Sequence, residues 1–157
     1  MNSATVHANA LNLNSGVALS VTPTNVSFSL IPKAVTSASQ SIVITTTVTL
    51  ALLTTVNLYG SFASSSSALT GQASAQPIPS SSIFGLMPSG LVTSYTPFTQ
   101  TNALGSASAS LKLLSVSGIV TGITRSDSLS LQIDLSSLPQ LPADTYTGTL
   151  ILQAQIF

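Results

Sequence analysis

The chain has 157 residues, of which 44% are hydrophobic and 4% are charged, and its basic and acidic side chains balance to zero net charge. This length suits one domain, whereas so few charges exclude nucleic-acid binding, which needs clustered lysine and arginine. Cysteine is absent, so disulfides and thiolate metal sites are excluded as well.

The N-terminal segment, residues 3–13, carries apolar side chains at every second position until the alternation changes phase at Ala10 and Leu11. Such alternation predicts an extended segment with one apolar face. A polar turn follows it. We therefore divide the chain into an N-terminal extension, residues 1–15, and one domain, residues 16–157.

The next part of the chain predicts short strands separated by turns. Alternation over residues 17–30 is interrupted by a proline, as in an edge strand that changes partner. Residues 41–55 are dense in β-branched side chains and predict the longest strand region. The serine run at residues 64–67 predicts an exposed loop. Alternation resumes over residues 107–113 and 129–135.

The last strand has the clearest pattern of all. A turn at Pro142 and Asp144 precedes it, because proline fixes φ and aspartate can accept a hydrogen bond from the following backbone. Beyond the turn, mainly threonine and glutamine occupy one side of the strand. The side predicted to face the core consists of Tyr146, Gly148, Leu150, Leu152, Ala154 and Ile156.

These patterns together predict an all-β protein. No segment has helical periodicity, and glutamate, a strong helix former, is absent. The prediction is an Ig-like β-sandwich of about seven to nine antiparallel strands. Within it, Tyr146 has two possible roles: a corner tyrosine that hydrogen-bonds the backbone, or a packed aromatic with its hydroxyl at the rim.

Residues that could carry out catalysis or bind a metal are few. The only histidine, His7, lies in the N-terminal segment without an acidic neighbour, so no hydrolytic triad is predicted. The three carboxylates, Asp127, Asp134 and Asp144, are spread along the sequence, which favours neither a glycosidase pair nor a calcium site. No phosphate or dinucleotide motif is present. We expect no cofactor and no enzymatic activity.

Localisation is indicated by short motifs only. No run of eighteen apolar residues is present, so no membrane span is predicted. Residues 8–10, Ala-Asn-Ala, have the form of a signal-peptide cleavage site, but no basic or apolar region precedes them. They are either the remnant of a trimmed secretion signal or an accidental match. Asn25 begins an N-glycosylation acceptor sequence.

Residues 143–152, Ala-Asp-Thr-Tyr-Thr-Gly-Thr-Leu-Ile-Leu, combine a turn, a Tyr-x-Gly step and alternating apolar residues. With the extended N-terminal segment, they resemble subunits of donor-strand-complemented pili of the chaperone–usher class, especially the cysteine-free colonisation-factor type. The resemblance implies an Ig-like subunit that lacks one strand, whose groove is filled by the N-terminal extension of a neighbouring copy. The implied donor residues are Ala4, Val6, Ala8, Ala10, Leu11 and Leu13.

We therefore expect a structural subunit of an extracellular filament or pilus at the cell surface, which forms a homopolymer by strand exchange. The nearly uncharged surface suits such association, because little like-charge repulsion keeps copies apart. The resemblance also implies a secretion chaperone and an usher as partners. Two alternatives stay open: a monomeric Ig-like carbohydrate-binding or adhesive module with its N-terminal segment folded on its own sheet, and a viral coat or decoration protein.

Overall fold

The computed structural model describes residues 2–12, 16–49, 53–119 and 122–157. Within these residues the chain forms thirteen strands, one 3-10 turn at Ser80–Ser82 and no α-helix. In chain order the strands are β1 (Asn2–Leu11), β2 (Val17–Thr22), β3 (Asn25–Leu30), β4 (Val35–Ser37), β5 (Ile42–Val48), β6 (Leu53–Ser61), β7 (Leu69–Gly71), β8 (Pro77–Ile78), β9 (Ile83–Leu86), β10 (Thr96–Pro97), β11 (Ser110–Ile119), β12 (Ile123–Asp134) and β13 (Thr145–Ile156).

The strands form two sheets around one core. The first sheet has the order β11-β6-β13-β1-β3, with β7 beside β13 and β8 beside β7. The second has the order β10-β9-β12-β5-β2, with β4 beside β12. This sandwich-like arrangement confirms the predicted all-β fold. More strands are present than the predicted seven to nine because β4, β7, β8 and β10 are only two or three residues long.

The core is built from the alternating apolar side chains of both sheets. At its centre Phe62 and Phe98 meet edge to face, with ring centroids 5.2 Å apart and an interplanar angle of 77°. Glycines make room for this pair: a Cβ at Gly60 would lie 3.0 Å from the Phe98 ring, and one at Gly85 would lie 3.2 Å from it. The core therefore depends on small residues as well as on large ones.

β1 lies inside the first sheet and is paired on both sides. It pairs in parallel with β13 over nine residue pairs and antiparallel with β3 over six. The β1–β13 pair is parallel, so the strands are not all antiparallel as predicted. In the single chain, Asn2–Leu11 of the predicted extension form a strand of the first sheet. The physical reason is that β1 brings an alternating apolar face, which is buried as soon as the strand docks.

The predicted strand region at residues 41–55 also divides. β5 belongs to the second sheet, whereas β6 belongs to the first. The β-branched composition of this region indicates extended backbone but carries no information about which sheet each half joins. Residues 50–52, between the two strands, lie outside the described residues.

Candidate functional site

The inner face of β1 is the first component of the candidate site. Ala4 and Val6 are completely buried, and Ala8 is 5% exposed. Ala10 packs against the same core and is partly buried. Four of the six predicted donor residues therefore share one face of a strand that the chain inserts into its own sheet.

The other two predicted donor residues differ. The alternation keeps its phase through the end of β1, so Leu11 lies on the face opposite to Ala10 and is 37% exposed. In the single chain, Leu11 therefore does not share the inner face with Ala10, which it directly follows. Leu13 lies outside the described residues.

β13 forms one wall of the groove that holds β1. Of the six residues predicted to face the core, four are buried and two, Gly148 and Ile156, are partly buried. The buried residues are Tyr146, Leu150, Leu152 and Ala154. Gly148 is covered from the side of β7, because a Cβ there would lie 2.1 Å from the carbonyl oxygen of Ala68.

The register explains how the alanines of β1 fit the groove. Ala4 lies beside Tyr146 of β13, and Ala8 lies beside Leu150. Val6, the one larger residue, lies beside Gly148. Small and large side chains thus complement each other across the pair, so the groove is filled without large plugs on β1.

Polar side chains fix the start of β1 to the turn before β13. The Asn2 side-chain amide donates to the carbonyl of Leu141 at 3.5 Å, and the backbone N–H of Asp144 donates to Asn2 Oδ1 at 3.3 Å. The backbone N–H of Ser3 also donates to the Asp144 carbonyl at 3.3 Å. The sequence analysis did not identify this role of Asn2, which only the nearness of the two chain segments reveals.

After β1, Asn12 fixes the connection to β2. Its Oδ1 accepts the backbone N–H of Leu19 at 2.6 Å, and its side-chain amide donates to the Leu19 carbonyl at 3.3 Å. His7, on the exposed face of β1, hydrogen-bonds Asn25 of β3 and has no carboxylate among its described partners. The hydrogen bonds around β1 therefore hold the strand in the groove of its own chain.

Tyr146 connects the groove to the preceding turn. Its ring is fully buried, and its hydroxyl donates to the carbonyl of Pro142 at 3.0 Å. This is the corner arrangement, one of the two roles considered for this residue. Burial raises the pKa of the Tyr146 phenol, because the charged form would lose its hydration.

Comparison with known proteins gives no family for this chain. No family model matches it, and a search of curated proteins finds no significant match. The part of the chain that the structure describes contains no cluster of three or more metal-ligating His, Cys, Asp or Glu side chains. Its helical content includes no segment long and apolar enough to cross a membrane.

Asp144 holds the 72–76 loop against the start of β13. Its carboxylate accepts hydrogen bonds from the hydroxyl and backbone N–H of Ser74, at 2.6 and 2.7 Å, and from the backbone N–H groups of Ala73 and Thr145. These bonds, those from Ser74 above all, lower the pKa of Asp144 to about 2. The carboxylate thus acts as a structural acceptor that holds the loop in place.

We expect the protein to lose stability in acid through this carboxylate. The Asp144 pKa is lower in the folded state, so its contribution is present above the unfolded-state value of about 3.9 and is lost as pH falls toward 2. Thermal unfolding between pH 5 and pH 2 should therefore show a smaller decrease of Tm in Asp144→Asn than in the wild type. Thr149→Ala, an exposed neutral change, should follow the wild-type curve. Equal decreases in wild type and Asp144→Asn would contradict this role.

An ion pair occupies the inner face of β12. Arg125 donates to both carboxylate oxygens of Asp127, through Nε at 2.6 Å and Nη2 at 2.5 Å, and Ser89 Oγ donates to Asp127 as well. Burial raises the pKa of Asp127, but the hydrogen bonds from Arg125 and Ser89 outweigh it, so the pKa is lowered. The sequence contained a signal for this pair, since residues two apart on a strand share a face.

Proposed function

We propose that the protein is a non-enzymatic structural subunit of an extracellular filament at the cell surface. In this assembly, β1 of one copy lies between β3 and β13 of the next copy. The proposal is supported by the position of β1, which is hydrogen-bonded on both sides inside a sheet and joins β2 through a short connection. A second copy can supply the same contacts, because strand pairing does not depend on which chain carries the strand.

The closed single chain competes with this exchange. β1 is tethered to its own groove through residues 12–16, and such a short tether gives an effective concentration in the millimolar range. Exchange therefore prevails only where copies are concentrated, or where β1 is kept from closing until the next copy arrives. A secretion chaperone and an usher, the partners implied by the resemblance, would act at that step.

A second candidate function is favoured by a specific observation. β1 completes the sheet of its own chain, as expected for a self-contained Ig-like module. Such a module would be monomeric and would bind carbohydrate or another surface ligand. The two functions differ in one measurable property, the identity of the chain that supplies β1.

A pair of engineered cysteines distinguishes the two functions. Thr5 of β1 lies opposite Ser27 of β3, and facing residues of antiparallel strands are about 4.5–5.5 Å apart at Cα, within disulfide range. The chain has no other cysteine to interfere. In Thr5→Cys/Ser27→Cys, oxidised at millimolar concentration, exchange is expected to give a ladder of covalent multimers on a non-reducing gel.

The control uses two strands that stay within one chain in both functions. Ser20 of β2 lies opposite Thr45 of β5, so Ser20→Cys/Thr45→Cys should give only an internally bridged monomer. A monomer band for both variants at millimolar concentration would contradict strand exchange and favour the self-contained module.

A further inference from the structure

A cavity of about 190 Å³ opens between the two sheets. Its walls come from β5, β6, β11 and β12, and no lining residue belongs to β1. Among the described residues, the lining is mainly branched and apolar, with one hydroxyl and one guanidinium side chain. It includes Thr46, Val48, Val56, Leu114, Val116 and Arg125.

The hydroxyl of Thr46 is the unusual feature of this cavity. Thr46 lies on the inner face of β5 between Ile44 and Val48 and is only 3% exposed. Its Oγ1 has no hydrogen-bond partner within the described part of the chain. A valine would have nearly the same shape without a buried unpaired hydroxyl, so packing does not explain the threonine.

The cavity presents no net charge. The Arg125 guanidinium is held by both oxygens of Asp127, and its Nη2 also donates to the carbonyl of Ser89 at 3.3 Å. The guanidinium is thus neutralised, while the aliphatic stem of Arg125 is available as apolar wall. An ionised ligand would lose its hydration here without gaining a counter-charge.

From these observations we infer that the cavity binds a small uncharged molecule with a compact apolar body and one hydroxyl or carbonyl group, which hydrogen-bonds Thr46. An apolar cavity of about 150 Å³ is known to accommodate benzene, so this one has room for a six-membered ring with one substituent. The apolar walls provide burial for the ring, and Thr46 provides the polar contact that selects among ligands of equal size.

Phenol and toluene are a matched pair of probes for this site, because they differ only in a hydroxyl and a methyl group. Ligand-observed NMR titration of the wild type should detect both. In Thr46→Val, the affinity for phenol is expected to fall about fivefold relative to that for toluene, the size of one net hydrogen bond. Thr46→Val keeps the size of the side chain, so a change in the ratio of the phenol and toluene affinities reports the loss of the Thr46 hydroxyl.

Two further variants test the location. Val116→Phe should fill the cavity and abolish binding of both probes, whereas Val43→Phe, on the exposed face of β5, should leave both affinities unchanged. Thermal unfolding of each variant checks that it is folded. Absence of binding to the folded wild type, or an equal effect of Thr46→Val on both probes, would overturn the inference.

Discussion

Deleting residues 1–11 is expected to unfold the protein, and adding a synthetic peptide of residues 1–11 is expected to restore the fold. In the first sheet, β1 lies between β13 and β3 and forms backbone hydrogen bonds with both of them. It makes on the order of ten backbone hydrogen bonds, each worth roughly 0.5–1.5 kcal/mol net. The loss, with the exposed groove, is comparable to the about 5–15 kcal/mol that stabilises a whole domain.

The peptide experiment has a matched control in Val6, which is fully buried beside Gly148. Far-UV circular dichroism and a two-dimensional NMR spectrum of the truncated protein should recover native features with the wild-type peptide. The same peptide with Val6→Asp should fail, because it would bury an unpaired carboxylate. A truncated protein that keeps the native spectrum and Tm without peptide would show that β1 is dispensable.

This experiment also bears on the proposed function. A peptide that restores the fold is a β1 supplied by a separate molecule, which is the step that strand exchange requires. A truncated protein that unfolds and does not respond to millimolar peptide would argue that β1 acts only within its own chain. The self-contained module would then be the better account.

Gly148→Ala is expected to lower the free energy of unfolding by about 3 kcal/mol, at the upper end of overpacking effects. The added Cβ would lie 2.1 Å from the carbonyl oxygen of Ala68 and 2.5 Å from Leu69 Cδ2. The leucine can change rotamer, but the carbonyl belongs to the backbone and moves only with the segment that carries it. The new methyl group is therefore expected to push the segment that precedes β7 away from β13.

Urea denaturation at neutral pH measures this effect. The neighbouring change Thr149→Ala, on the exposed face of β13, is the control and should cost no more than about 1 kcal/mol. If Gly148→Ala lowers the free energy of unfolding by less than about 1 kcal/mol, the segment before β7 is not tightly packed against β13. Gly148 would then lack the packing role assigned to it.

Local sequence patterns were sufficient for much of the fold. The alternation along β12 and β13 predicts which side chains enter the core, because successive residues of a strand point to opposite faces whatever its neighbours are. The same rule predicts that β1 is extended with one apolar face. The corner role of Tyr146 could be considered from the sequence, as one of two alternatives, because its acceptor is local. The carbonyl of Pro142 lies only four residues away.

The pairing of β1 could not be obtained in this way. Its parallel partner β13 is far away in sequence, as in the pair of Ser3 and Thr145, and nothing local specifies a parallel neighbour. The alanines of β1 make sense only in register, where Ala4 meets Tyr146 and Val6 meets Gly148. The predicted extension, residues 1–15, therefore stays a prediction: an apolar face indicates burial but not the chain that provides the groove.

The sequence by itself thus determined a cysteine-free, all-β chain with zero net charge and alternating faces, because composition and alternation are local properties. Tertiary structure alone decided the rest. It placed β1 between β3 and β13, and it left the Thr46 hydroxyl, at a cavity between the sheets, without a hydrogen-bond partner in the described part of the chain. Each of these depends on segments that meet only after folding, where register and side-chain size, rather than residue type, select the contacts.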